Sequence, residues 1–472
     1  MSVSKVDPPQ GVTNFVYRPT RRKFLHTIAS LPLAGTLLPF LLPGSVDASV
    51  RPGGLPEHGL RFTTRNGRDP GHKAVIIFMQ GGLSFFDTFD PKTHADIRGP
   101  FNPINTACRD IQITNIIEPL ARHMNKAVVI NNLYGDRSEL FHPTNGALVV
   151  NGSLRVTDRT DPYTEALSKN PFVEFSKLLT NEASEDVGYV VLHQNVPDIG
   201  AGLAFQQPYD AAKHRDPETL YAPYNTNSGE FTNPFRGAPV DIDRLRGRMR
   251  LLDLLDTQGH TLTGNSVERR NRAYRKAVSL TTGDFNRVFN INEEPEDVLR
   301  RYGNTPIGKQ LLLARRMLQN RGRVIFANDG NYDHHYAIER NMRNMLPPFA
   351  RALSALLNDI ERIEEKTYVV LVTEFGRTPR LNTGNGLLGM PSFPPGRDHW
   401  VDAFGMVIFG NDIRQGRRIG QTDNNGRIVG DSYNASVAGE TILELLKVGR
   451  FEKRGDVLTN RRFPFIDVRR DV

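Results

Sequence analysis

Short apolar runs alternate with amphipathic segments along most of the 472-residue chain. The first run, Lys73–Met79, is almost wholly apolar and is followed by Gly81 and Gly82, which is typical of a strand buried on both faces. Similar runs recur at residues 127–130, 188–192, 323–327, 367–373 and 404–409. Because strands separated by helices pair in parallel, this order predicts an α/β fold with a mainly parallel, doubly wound sheet flanked by helices.

Helical periodicity fills the intervals between these runs. The first interval places four apolar side chains on one helix face: Ile117, Leu120, Ala121 and Met124. A longer apolar face spans residues 349–363, and a last helix is predicted at about residues 436–448. The spacing therefore predicts helices that cover both faces of the sheet.

Residues 205–305 depart from this alternation because they are polar, basic and rich in loops. We predict a helical and loop insertion here, with short helices at 241–256 and 267–279 and no strong strand. The insertion is either a basic cap that faces substrate or a set of solvated helices, and the sequence leaves both interpretations open.

Residues 1–48 are interpreted as a twin-arginine signal peptide. Arg21 and Arg22 precede a weakly polar segment at 27–46, and small residues at 46–48 suit a signal peptidase. Three prolines in that segment argue against a membrane helix. We therefore expect the twin-arginine translocase as a partner during export, a periplasmic or secreted protein, and no stable membrane span after cleavage. An uncleaved anchor and a disordered tail are the alternatives.

The charge and cysteine content exclude several classes of protein. The formal net charge is +8, and residues 1–48 carry five of the 60 basic residues but only two of the 52 acidic ones. The remaining positive charge is spread, without interleaved stacking aromatics, so no nucleic-acid partner is expected. The single cysteine, Cys108, excludes a disulfide framework and a cysteine-rich metal site within one chain.

Histidines beside aspartates lie close to the predicted strand ends. Asp333, His334 and His335 follow the run at 323–327, and Asp398 with His399 precedes the run at 404–409. In a doubly wound sheet, ligands bind beyond the carboxyl ends of the strands. Imidazole and carboxylate groups are ligands for Zn²⁺, Mn²⁺ or iron. These segments predict a divalent metal site, although any one histidine–aspartate pair could equally be a satisfied polar pair.

Five motifs together resemble the DUF1501 family, whose members have an alkaline phosphatase/sulfatase-like fold and are frequently exported by the twin-arginine route. The motifs are GGLSFFDTFDPK at 81–92, RGPF at 98–101, YDHH at 332–335, TEFGRTP at 373–379 and GRDHW at 396–400. The resemblance implies an alkaline phosphatase-like α/β domain over residues 65–450, followed by a C-terminal tail at 451–472.

The resemblance also implies a set of metal ligands. Asp333, His335 and His399 would bind one divalent metal ion, with Zn²⁺, Mn²⁺ or Ca²⁺ as the candidates. Asp87 and Glu374 would lie beside them as further acidic ligands.

The activity implied by the resemblance is the hydrolysis of a small anionic ester, a phosphate or a sulfate. Arg377 and Arg397 would hold the substrate, unless they form structural ion pairs, and His142 would act as a general acid/base or nucleophile. Phe375 stands where related proteins carry a histidine and cannot bind metal. This departure keeps an alternative open: a catalytically degenerate binding or assembly protein of the cell envelope.

Overall fold

The structure is a computed structural model of the chain. The structure describes residues 71–136, 140, 142–151, 172, 175–176, 179, 186–193, 219–225, 228–233, 244, 247, 250–251, 284–363, 366–382, 394–411 and 413–446. The predicted signal at 1–48, the tail at 451–472 and much of the insertion at 205–305 lie outside these residues. None of the helices described is both long enough and apolar enough to cross a membrane.

Strands and helices alternate along the described chain, as the sequence predicts. The strands are β1 Lys73–Met79, β2 Pro103–Asn105, β3 Gln112–Thr114, β4 Ala127–Tyr134, β5 Val187–His193, β6 Thr219–Asn225, β7 Glu230–Phe231, β8 Gly322–Asp329, β9 Thr367–Val372, β10 Gly376–Arg377, β11 His399–Trp400, β12 Phe404–Phe409, β13 Arg417–Ile419, β14 Gln421–Thr422, β15 Ile428–Val429 and β16 Tyr433–Asn434. The α-helices are α1 His142–Asn151, α2 Glu296–Tyr302, α3 Pro306–Gln319, α4 Ile338–Ile360 and α5 Val437–Leu445. Three 3₁₀ helices complete the set: Asn115–Lys126, Asp284–Phe289 and Ile291–Glu293.

A ten-stranded sheet forms the centre of the fold, in the order β13-β4-β12-β9-β1-β8-β5-β6-β7, with β16 also paired to β4. Strands β9, β1, β8, β5 and β6 run parallel, and β12 is antiparallel to both β9 and β4. The carboxyl ends of the parallel strands and the amino end of β12 therefore meet at one edge. This arrangement confirms the predicted mainly parallel α/β sheet.

Alternate side chains of β1 face two separate cores. Val75 and Ile77 pack in one apolar cluster, and Ala74, Ile76 and Phe78 pack in the other. Both clusters are buried, so both faces of the sheet are covered by other elements.

Two predicted elements differ from the structure. The helix predicted from residues 117–124 forms as the 3₁₀ helix Asn115–Lys126, with Pro119 inside it and non-helical dihedral angles at Ile117. Proline lacks the amide donor that a regular α-helix needs. The expectation of no strong strand in 205–305 is wrong, because β6 pairs in parallel with β5. Positions 244, 247, 250 and 251 are helical, as predicted.

Candidate metal centre

The carboxyl edge of the sheet brings together side chains from four separate segments. Asp333 and His335 follow β8, Glu374 follows β9, His399 begins β11 just before β12, and His142 is the first residue of α1. His399 reaches this edge because β12 runs antiparallel to its neighbours, so that the chain before β12 lies where the parallel strands end.

The Nε2 atoms of three histidines face the carboxylate of Asp333. Those of His335 and His399 each lie 3.0 Å from Asp333 Oδ1 and 3.2 Å from one another. That of His142 lies 3.7 Å from Asp333 Oδ2. His142, Asp333 and His399 offer ligand atoms that are all within 4.8 Å of one another.

The opposite ring nitrogen of each histidine, Nδ1, faces a fixed oxygen acceptor. The three pairs are His142 with Glu374 Oε1 at 2.8 Å, His335 with Asp398 Oδ1 at 2.7 Å and His399 with the Leu140 carbonyl oxygen at 3.2 Å. Donation from Nδ1 to a carboxylate or carbonyl is the outer-sphere pattern of metal-binding histidines, because it orients the ring and leaves Nε2 as the lone-pair donor.

These residues fit a small divalent cation. The His142 Nε2 atom is buried without a hydrogen-bond partner, which is costly unless a further group satisfies it. Ligands with bonds of 2.0–2.1 Å in tetrahedral geometry are separated by about 3.3 Å, and the Nε2 atoms of His399 and His142 lie 3.0 Å and 3.7 Å from the two carboxylate oxygens of Asp333. An imidazole-rich set favours Zn²⁺ over Mn²⁺ and Ca²⁺, which prefer oxygen ligands.

Neighbouring charges shift the pKa values of Asp333 and His142 in opposite directions. Burial raises the pKa of Asp333, but the surrounding imidazoles and the Arg377 guanidinium outweigh it and hold that pKa far below its usual range. Burial lowers the pKa of His142, yet the neighbouring carboxylates Asp333 and Glu374 raise it to about 9. The cluster therefore holds negative charge at its centre, which a proton or a metal ion can neutralise.

Glu374 lies behind His142 instead of among the inward-facing ligand atoms. Its side chain is fully buried, and Oε1 accepts the Gly81 amide at 2.6 Å in addition to facing His142. Its Oε2 accepts the Thr373 hydroxyl at 3.2 Å. Glu374, expected as a metal ligand, thus contacts the ring of His142 from behind, and His142, expected as a general acid/base or nucleophile, lies among the three grouped candidate ligands.

Arg377 points into the protein, where it makes internal contacts and an ion pair with Asp333. Its Nε atom donates to the Gly82 carbonyl at 2.9 Å and Nη1 to the Arg397 carbonyl at 3.1 Å. Nη2 donates to the Gly81 carbonyl and to Asp333 Oδ1. The side chain is fully buried, so its donors serve the loop that carries Asp333.

Asp87 and Arg397 form a buried ion pair, so Arg397 makes the structural contact that the sequence left open as the alternative to substrate binding. Arg397 Nε donates to Asp87 Oδ2 at 2.7 Å, and neither side chain is exposed. Ser84 donates to the same carboxylate oxygen at 2.6 Å, and Arg397 also donates to the Ile97 carbonyl at 3.1 Å. The structure therefore does not bring Asp87 into the group of ligand atoms, nor does it leave Arg397 open to an anion.

An aromatic ring forms one wall of the cluster. Phe375 is fully buried, and its ring centroid lies 4.7 Å from that of His142 and 4.4 Å from that of His399. Sequence reasoning identified Phe375 only as a missing ligand, whereas the ring packs against two of the candidate ligands. It also missed the Leu140 carbonyl, because a backbone acceptor has no signal in residue type.

The family model for "Protein of unknown function (DUF1501)" matches residues 72–448. No curated protein matches the sequence of the chain.

Solved structures similar to the chain share little sequence with it. A protein in the alkaline phosphatase superfamily from Vibrio parahaemolyticus is 12% identical, with a TM-score of 0.33, over 90% of this chain and 76% of that one. The C-terminal periplasmic domain of EcEptC from Escherichia coli, in complex with Zn, is 11% identical, with a TM-score of 0.35, over 84% and 87%. The PsFucS1 sulfatase from Pseudoalteromonas sp. is 11% identical, with a TM-score of 0.35, over 80% and 68%.

The family match spans most of the chain and every described strand of the sheet, and it extends through α5. The chain belongs to the DUF1501 family.

Proposed function

We propose that this DUF1501 protein is an exported, divalent-metal-dependent hydrolase of phosphate or sulfate esters. The proposal rests on the convergence of three histidine Nε2 atoms on Asp333. The Nδ1 atom of each of these rings faces an oxygen acceptor on the opposite side. Such double anchoring is expected of rings that bind metal, and is not needed for isolated histidine–carboxylate pairs.

His142, Asp333 and His399 would hold the metal ion, since their ligand atoms are mutually close. Three protein ligands and one open position are typical of catalytic sites. When bound, the ion would supply Lewis-acid chemistry, polarising an ester oxygen and neutralising the charge that develops in the reaction.

The remaining residues would position these ligands and move protons. Exposure rises from Glu374, whose side chain is fully buried, to Asp398, whose side chain is 38% exposed, so substrate would approach from the Asp398 side. His335 stands on that side with its Nδ1 held by Asp398. We assign His335 Nε2 as the atom that exchanges a proton with substrate or water, and Phe375 as the wall that keeps water from His142 and His399.

The test combines metal analysis with hydrolysis assays. Purified protein should carry one equivalent of Zn²⁺ or Mn²⁺ and should hydrolyse an aryl phosphate or an aryl sulfate. His399→Ala should lose both properties, whereas His94→Ala, which removes an exposed histidine, should lose neither. One equivalent of metal without hydrolysis of either ester would refute the proposed enzymatic activity. Protein that binds no metal would refute the proposed metal site itself.

One observation favours a second function, a binding protein of the cell envelope without turnover. His335 Nε2 lies as close to Asp333 as His399 Nε2 does, so four residues could close the coordination shell as in structural metal sites. Arg377 and Arg397 also donate to internal acceptors instead of facing outwards. His335→Ala separates the two functions: a proton-transfer role predicts lost activity with metal retained, and a structural role predicts weakened metal binding.

Export is the part of the proposal that rests on residues 1–48. A fusion of this segment to a reporter that fluoresces only when folded should reach the periplasm. Replacement of Arg21 and Arg22 by lysine keeps the charge and should stop export, since lysine does not reproduce the geometry of guanidinium contacts. Equal export of the lysine variant would argue against a twin-arginine signal.

A further inference from the structure

A second concave site lies between helices, outside the metal centre. Residues of the 3₁₀ helix Asn115–Lys126, of α2 and of α4 line an open cavity of about 390 Å³. It is lined by Glu118, Pro119, Arg122, Arg301, Arg351, Ser354, Ala355 and Asn358. No residue of this lining belongs to the metal cluster, so the cavity is a separate candidate site.

Three arginines line this cavity, each from a different element. Arg122 comes from the 3₁₀ helix, Arg301 from α2 and Arg351 from α4, against a single carboxylate, that of Glu118. Like charges that converge in this way repel one another, and a bound anion relieves that repulsion.

Arg122 is held in place by neutral partners. Its Nη2 donates to the Ser354 hydroxyl at 3.0 Å, and its Nε donates to His123 Nε2 at 3.2 Å. Burial, together with the charge of Arg122, lowers the pKa of His123 to about 4, so this imidazole is uncharged and can accept. The guanidinium is therefore fixed in position while its charge is left without a carboxylate partner among the described residues.

The other two arginines differ in their pairing. Arg301 donates to Asp359 Oδ1 at 2.9 Å, but Asp359 also accepts from Arg315 and from the Tyr302 hydroxyl. Arg351 is exposed and makes no hydrogen bond or ion pair within the described parts of the chain. At least two positive charges in the cavity, those of Arg122 and Arg351, are thus available to a ligand.

The lining defines the chemistry of that ligand. Planar guanidinium forks suit the oxygens of phosphate and sulfate groups, and the Ser354 hydroxyl and the Asn358 amide add neutral polar groups. Pro119 and Ala355 supply an apolar wall. The volume falls in the range of small-molecule pockets and exceeds what a bare tetrahedral ion fills.

We propose that this cavity binds a small organic molecule through its phosphate or sulfate group. The site is independent of the proposed hydrolysis, because it shares no residue with the metal cluster.

The test uses phenylphosphonate and benzenesulfonate, whose P–C and S–C bonds resist ester hydrolysis. Titration calorimetry of the full chain, with a chelator present to keep metal out of the other site, should show saturable binding of at least one probe. Tighter binding of phenylphosphonate would identify a phosphate ligand, and tighter binding of benzenesulfonate would identify a sulfate ligand.

Arg122→Gln and Arg351→Gln should each weaken probe binding about tenfold or more, because each removes a charged hydrogen-bond donor. The matched control is Arg300→Gln, which removes an exposed arginine of α2 that is not part of the lining. His399→Ala should bind the probe as wild type does. Absence of saturable binding, an equal loss in Arg300→Gln, or a loss confined to His399→Ala would each overturn the proposal.

Discussion

His142 and Glu374 are joined through Nδ1 and Oε1 at 2.8 Å, with the carboxylate fully buried behind the ring. Glu374 also accepts the Gly81 amide, so one carboxylate connects the loop after β1, the loop after β9 and the start of α1. The candidate centre therefore depends on a residue that has no inward-facing ligand atom of its own.

Glu374→Gln should weaken Zn²⁺ binding 10–100-fold, the range typical when an outer partner of a metal-binding histidine is replaced. The amide keeps the shape of the side chain but removes the charge that orients and polarises the His142 ring. Zn²⁺ titration calorimetry measures the effect, with the exposed Glu339→Gln on α4 as the matched control. Wild-type affinity in Glu374→Gln would show that the negative charge behind His142 does not contribute to metal binding.

Arg397→Gln should lower the free energy of unfolding by about 3–5 kcal/mol, because it leaves the buried Asp87 carboxylate without its cation. The double variant with Asp87→Asn should cost less than the sum of the single changes, since it removes both charges. Urea denaturation with a chelator present gives these values. The folded variants should bind Zn²⁺ as wild type does. If Asp87→Asn bound less than one equivalent of Zn²⁺, Asp87 would be a metal ligand after all.

Much of the fold could be predicted because a buried strand consists of consecutive apolar residues, which the sequence shows directly. Every residue of β1 is buried, and the apolar run at 73–79 coincides with the strand. The convergence of Asp333, His335 and His399 was predictable for a related reason, namely that the segments next to strand ends meet at one edge.

The partners of the arginines could not be predicted from local pattern. Asp87 and Arg397 are 310 residues apart in sequence, and nothing near either residue indicates the pair. Residue type alone likewise cannot separate an arginine that faces substrate from one that holds a loop, as Arg377 does. Strand β6 was missed because it begins with the polar Thr219 and contains Pro223, which weakens its strand pattern.

Asp329→Asn should flatten the dependence of stability on pH. Burial raises the pKa of the Asp329 carboxyl from 3.8 to about 7, and the Tyr332 hydroxyl donates to it at 2.5 Å. A raised pKa means that the folded chain keeps a proton which the unfolded chain loses. The stabilisation of the folded chain by protonated Asp329 is therefore complete below about pH 4 and is lost as the pH rises towards 7.

Between about pH 5 and about pH 8, wild type should lose roughly 2–3 kcal/mol of unfolding free energy relative to Asp329→Asn. The amide retains an acceptor for Tyr332, so the comparison isolates the ionisation. Denaturant titrations at the two pH values, with a chelator present, measure the difference. The exposed Asp96→Asn should behave as wild type does, and parallel pH profiles for Asp329→Asn and wild type would exclude a raised pKa at this position.

Gly81→Ala tests whether the close approach of two loops holds the candidate centre together. Gly81 has φ = +104°, and a Cβ there would lie 2.5 Å from the Asp333 amide nitrogen and 2.7 Å from that of Tyr332. These are backbone atoms of the segment that carries Asp333, so they cannot swing aside as a flexible side chain does. The substitution should shift that segment and weaken the hydrogen bond from the Gly81 amide to Glu374.

Gly430→Ala is the matched control, because Gly430 has φ = +82° but nothing within 4 Å of the added Cβ. The control should therefore cost only backbone strain, about 1–2 kcal/mol, with Zn²⁺ affinity unchanged. Gly81→Ala should lower the free energy of unfolding by at least about 2 kcal/mol more, in line with the cost of overpacking, and weaken Zn²⁺ binding at least tenfold. Equal stability and equal Zn²⁺ affinity in the two variants would mean that the contact of Gly81 with the Asp333 segment does not position the ligands.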